Sequence, residues 1–101
     1  MWIFTSRGFL SVVQKENDPA TLVVRSRFPG HIQFLFADAR VLVTPNRDYL
    51  YRAEVPRSQV IEVLHREAEA IDYDNFKDSV REGTYHTACS AVWLTLYRHQ
   101  K

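Results

Sequence analysis

The opening stretch MWIFTSRGFLSVVQKE leaves a chain of this kind few choices. Trp2–Thr5 and Phe9–Glu16 are rich in aromatic and β-branched residues, which suit a pleated, half-buried surface. Only Ser6-Arg7-Gly8 separates the two strands, so they meet at a tight turn. Gly8 is expected to sit there at positive φ, in a turn or bulge. Because a core-grade strand starts at residue 2, residues 1–101 are read as one small single domain with no leader and no linker. Trp2-Ile3-Phe4 is then expected to be a core strand inside the sheet.

The rest of the chain extends this pattern. Asn17-Asp18-Pro19 is a turn, since Asn and Asp bond their own backbone and Pro fixes φ. Thr21–Phe28 returns as a third strand, which makes residues 8–28 a β-hairpin. Pro29-Gly30 breaks the strand, and His31–Ala37 reads as a short helix with Pro29 near its start. Arg40–Thr44 and Tyr49–Val55 flank the turn Pro45-Asn46-Arg47-Asp48 and predict a second hairpin. A helix begins at Pro56-Arg57-Ser58, with Val60, Ile61, Leu64, Ala68 and Ile71 as its apolar stripe. A short helix is expected over 72–82, stopped by a left-handed cap at Gly83. The last helix runs from Thr84 to about Arg98, with Tyr85, Cys89, Val92 and Leu96 facing inward.

The order β-β-β-α-β-β-α-α-α predicts an α+β fold. It would be an antiparallel sheet of four to five strands in two hairpins, with helices on one face and a helical C-terminal third. A ferredoxin-like arrangement is the nearest common architecture, although the order is not βαββαβ. Trp2, Phe4, Phe9, Phe28, Phe34, Phe36 and Trp93 are assigned to the core. Tyr49, Tyr51, Tyr73, Tyr85 and Tyr97 are expected to reach the surface through their hydroxyls.

Charge and cysteine content narrow the function classes. Thirteen basic residues against twelve acidic give a net charge of +1, which disfavours a dedicated nucleic-acid coat and leaves room for a local patch. The single cysteine, Cys89, excludes an intramolecular disulfide and suits a reducing compartment. No charged leader precedes an apolar segment, and no apolar run approaches the ~18–20 residues of a membrane span. The expected setting is cytoplasmic, without a membrane partner.

Alternation places Val23, Arg25 and Arg27 on one side of the third strand, and Leu50, Arg52 and Glu54 on one side of the fifth. If these strands are neighbours, Arg25, Arg27 and Arg52 line an open sheet face, where nucleic-acid bases or a protein partner could stack on guanidinium planes. An ordinary solvated face with Arg52 paired to a neighbour is the simpler alternative. His86 and Cys89 share a helix face at i, i+3, but Cys89 lies inside its helix on the buried side, away from the N-terminal position that activates a thiol. Asp72, Asp74 and Asp78 fit helix-start chemistry better than a calcium loop. His65-Arg66-Glu67-Ala68-Glu69 lacks the second histidine of a zinc-protease helix. With three glycines in the chain there is no phosphate-binding loop. No catalytic, metal or cofactor residue is therefore assigned.

Three segments carry a resemblance: MWIFTSRGFLSVV, Ile71–Val80 (IDYDNFKDSV), and the Tyr85-His86…Val92-Trp93 ending, with Tyr51-Arg52-Ala53 between them. In these the chain resembles a family of small, uncharacterised bacterial proteins of about this length, with MWxFTxxGFxSVV and IDYxNFKxxV motifs. The resemblance implies a one-domain size and a bacterial cytosolic setting, and it carries no chemistry. It points to Asn75, Phe76, Lys77, Tyr85 and His86; with Tyr73, these make a candidate pocket of Tyr73, Asn75, Lys77, Tyr85 and His86. Pro56 departs from the pattern where a better helix cap is expected.

The expected function is a non-enzymatic protein–protein interaction module, with a protein partner or with itself as a homodimer. One form of this would be a mobile-element or phage inhibitor of a host complex. A strand edge or a Tyr/Arg surface would make the contact. A nucleic-acid-binding module using Arg25, Arg27 and Arg52 is the first alternative. A small enzyme or ligand-binding protein with a pocket near residues 72–86 is the second.

Overall fold

The computed structural model describes Met1–Lys101. Its strands are β1 (Trp2–Thr5), β2 (Gly8–Lys15), β3 (Asp18–Ser26), β4 (Leu42–Val43) and β5 (Tyr51–Pro56). Its helices are α1 (His31–Leu35), α2 (Arg57–Glu69), α3 (Phe76–Ser79) and α4 (Gly83–Arg98). The fold is α+β, with one five-stranded sheet in the order β1-β2-β3-β5-β4 and every neighbouring pair antiparallel. Consecutive strands neighbour each other except where β5 inserts beside β3 and leaves the two-residue β4 at the edge. Split β-α-β folds have an interleaved order, so this topology is a meander with one appended hairpin.

Cross-strand register sorts the side chains onto two faces. Ile3 opposes Leu10, Val12 opposes Val24, Val24 opposes Ala53, and Leu22 opposes Val55. These residues form one face, which α1 and α2 cover with Ile32, Leu35, Phe36, Val60 and Val63. Val24 and Ile32 are wholly buried, and each such side chain contributes about 1.5–3 kcal/mol of hydrophobic stabilisation. On the other face Trp2 opposes Ser11, Phe4 opposes Phe9, and Arg25 opposes both Ser11 and Arg52. The C-terminal helical segment stands over the aromatic end of this face. Val80, Tyr85 and Cys89 form a second, smaller cluster there with Phe4, Phe9, Phe28 and Phe76.

Several local expectations are corrected. Gly8 does not take positive φ; that conformation belongs to Asn17 (φ 61°) in the β2–β3 turn and to Gly30 (φ 87°) ahead of α1. Gly8 is required instead by close approach, because a Cβ there would lie 2.8 Å from Cγ of His31. Gly83 does not stop a helix; it is the first residue of α4. Glu82 caps that helix, its carboxylate accepting from the N–H groups of Thr84 (3.0 Å) and Tyr85 (2.6 Å). The segment expected to be helical over 72–82 is helical only at Phe76–Ser79. Asn75 accepts from the Asp78 N–H at 3.4 Å, a side-chain bond that starts a helix and does not continue one from upstream. In α2 the buried face is Val60 and Val63 with Leu64 beside them, and Ile61 is exposed. Pro56 ends β5 and passes directly into α2 without a side-chain cap.

The aromatic assignment is corrected in both directions. Trp2 is 68% exposed, and Phe34 and Trp93 also stand in solvent. Tyr49 and Tyr85 are buried at 4% and 1%. Trp2 lies on edge strand β1, on the side that α1 and α2 do not cover. Alternation fixes which residues share a side but not which side is covered.

Candidate interaction surface

Helix α4 has two unlike halves. In the first, Tyr85 and Cys89 point inward. The Tyr85 hydroxyl donates to the Thr5 carbonyl oxygen at 2.7 Å, which ties the helix to the β1–β2 turn. The His31 ring packs on Tyr85 edge-on at 4.7 Å, and its Nδ1 accepts from the Phe9 N–H at 3.1 Å. Burial pushes the Tyr85 hydroxyl far above the ordinary phenol range, raises the Cys89 thiol and lowers the His31 imidazole. All three groups are thereby held neutral. Cys89 is a packing residue here, and burial works against formation of a thiolate.

The second half of α4 has no cover. Every residue from Ala91 to Arg98 is exposed, and the run Ala91–Tyr97 (AVWLTLY) contains no charge. Val92 (37%), Trp93 (49%), Leu94 (40%), Leu96 (67%) and Tyr97 (58%) extend around the helix. A helix apolar on all sides is normally buried. Trp93 and Tyr97 stack at 5.3 Å with an interplanar angle of 10°, and the Lys77 Nζ lies 4.1 Å from the Trp93 ring centre.

The structure brings Arg25, Arg27 and Arg52 together on the side of the sheet opposite α1 and α2. The Cζ atoms of Arg25 and Arg27 lie 4.6 and 4.5 Å from the centre of the buried Tyr49 ring. Arg25 also donates to Ser11 Oγ at 2.6 Å. Arg52 pairs with Asp48 at 3.1 Å, and burial, followed by the charges of Arg47 and Arg25, lowers its guanidinium pKa. The Nε atoms of Arg25 and Arg52 are buried without a partner. Between this cluster and α4 runs an apolar groove of about 310 Å³, bordered by Trp2, Phe9, Arg27, Phe28, Ala88 and Val92.

The other sequence-selected residues are more dispersed. Asn75 and Lys77 border a shallow depression with Phe76, Trp93 and Leu96. Tyr73 lies outside it, edge-on to Phe76. Tyr85 is turned into the core, and His86 is half-buried on α4, its backbone N–H donating to the Glu82 carbonyl oxygen at 2.8 Å and its ring in no hydrogen bond. No group of three or more His, Cys, Asp and Glu side chains is placed to hold a metal ion. His65 is paired with Glu69 at 2.9 Å on the exposed side of α2. Sequence reading did not single out Trp2, Trp93, Leu94 and Leu96 as a surface. The uncharged run from Ala91 to Tyr97 was the available signal, since it fits no single-sided stripe.

No family model, curated protein or solved structure matches the chain. No helix is long and apolar enough to cross a membrane. Fold and surface together define an α+β domain with one well-filled core and a projecting apolar helix end.

Proposed function

We propose that this chain is a non-enzymatic, cytosolic protein–protein interaction module that pairs with a second copy of itself through the distal half of α4. The observation that carries this reading is the collar of Val92, Trp93, Leu94, Leu96 and Tyr97. At ~150–250 Å² for a fully exposed aromatic side chain and less for Val or Leu, these five present on the order of 400–500 Å² in total, a little over half of the ~800 Å² per partner of a standard interface. A two-fold contact sets the same patch against itself; Ala91–Tyr97 carries no charge, and Lys77 on the Trp93 ring is the cation beside it. Trp93 and Tyr97 are of the residue types enriched at interface centres. The reducing-compartment setting is supported by the single, buried cysteine. Sedimentation velocity tests the reading. The chain should sediment as a dimer, and Trp93→Asp and Leu96→Asp, both at exposed positions, should give folded monomers.

A nucleic-acid-binding reading is favoured by one observation, the convergence of Arg25, Arg27 and Arg52 on the side of the sheet that α1 and α2 leave open and α4 covers only at one end. Against it, the aromatic ring beneath the arginines is buried, and Arg25 and Arg52 are held by Ser11 and Asp48. Fluorescence anisotropy with a labelled single-stranded oligonucleotide decides between the two. Binding that weakens steeply with salt and is lost in Arg27→Gln would favour nucleic acid; no binding is expected.

A further inference from the structure

We propose that the groove between α4 and the open side of the sheet is a binding site for a small amphipathic carboxylate, one carboxyl group on an apolar body. Its volume of about 310 Å³ lies at the lower end of small-molecule sites, about 300–1,000 Å³. Its walls are Trp2, Phe4, Phe9, Phe28 and Val92, and Arg27 is the one charged residue on its border. Arg27 is exposed and free of any ion pair, because the pairs in the molecule are Arg7–Glu67, Lys15–Glu54, Arg52–Asp48 and His65–Glu69. Arg25, over the same Tyr49 ring, likewise has no acidic partner. No carboxylate side chain borders the groove.

A lone guanidinium at the mouth of an apolar trough calls for an anion with an apolar body. The planar fork of arginine matches a carboxylate through two parallel hydrogen bonds. The walls exclude more polar occupants. The buried Tyr85 hydroxyl is already committed to the Thr5 carbonyl. Base edges or peptide amides laid against Phe and Val would lose hydrogen bonds to water without replacement. The site does not require self-association, because its charge and all its walls come from a single chain: Trp2, Phe4 and Phe9 from β1 and β2, Arg27 and Phe28 just past the end of β3, and Val92 from α4.

Trp2 supplies the readout. In a Trp93→Phe background it is the only indole in the chain, and it borders the groove. The probe is decanoate, titrated below micelle formation, with decanol and decyltrimethylammonium as neutral and cationic counterparts. Decanoate should shift Trp2 emission saturably, with affinity roughly tenfold or more above the other two, as expected for a charge-assisted pair. Arg27→Gln should remove that preference while leaving the decanol response and the far-ultraviolet circular dichroism unchanged. The proposal is overturned by the absence of a saturable decanoate response, by equal responses to all three probes, or by a preference that survives in Arg27→Gln.

Discussion

The two faces of the sheet are built from similar strands and finished in different ways. On the face covered by α1 and α2, eleven residues form one buried cluster with aliphatic side chains on both sides of the contact. On the other, three buried residues hold α4 against partly exposed phenylalanines, and the helix then runs on into solvent. The first face meets the fold's need for a core. The second spends its aromatic residues on a surface, and a monomer gains no stability from leaving Trp2, Trp93 and Leu96 in water. The proposed interaction surface rests on this asymmetry.

Mutations should separate the two faces. Leu10→Ala, at a position 1% exposed in the larger cluster, should cost about 2–5 kcal/mol in denaturant unfolding. Gly8→Ala should follow at about 1–3 kcal/mol, because the added carbon lies 2.8 Å from the His31 ring. Tyr85→Phe leaves the Thr5 carbonyl without its buried donor and should cost about 1–3 kcal/mol. A smaller loss is expected on acidification. The folded-state pKa of His31 lies below its ordinary value of 6.5, so the unfolded chain takes up the proton first. Stability should be complete above about pH 6.5 and fall below it. Asp18 and Glu82, whose carboxyls are held below their ordinary values by hydrogen bonds, add their losses only in the carboxylate range, near pH 4. Thermal melts between pH 7 and about pH 5 isolate His31, and His31→Gln should flatten the slope. Smallest of all, Trp2→Ala should change monomer stability by about 0.5 kcal/mol or less. A loss near that of Leu10→Ala would erase the distinction between the faces.

Sequence reading reached the strands, the hairpins and the α+β class because alternation and turn chemistry are local. Pro45–Asp48 marks its turn without any knowledge of the fold, whereas the expected turn Asn17-Asp18-Pro19 falls one residue or more late: the turn is Glu16-Asn17, and Asp18 and Pro19 already belong to β3. Strand alternation and the β3–β5 pairing place Arg25 opposite Arg52, and Arg27, just past the end of β3, joins Arg25 over the Tyr49 ring. What escaped depends on contacts distant in sequence. The need for glycine at position 8 comes from His31. Tyr49 is buried because Arg25 and Arg27 lie over it, and Tyr85 because Thr5 accepts its hydroxyl. Tyr73, Asn75, Lys77 and His86 were selected by motif, and a motif does not state which way a side chain points.

The most direct test of the interaction surface is sedimentation velocity of the wild-type chain beside Leu96→Asp over a concentration series. The surface assigned to α4 predicts a wild-type dimer and a folded Leu96→Asp monomer with an unchanged melting temperature when both are compared at dilutions where only monomer is present. A wild-type chain that stays monomeric throughout, or a Leu96→Asp chain that remains dimeric, would contradict it.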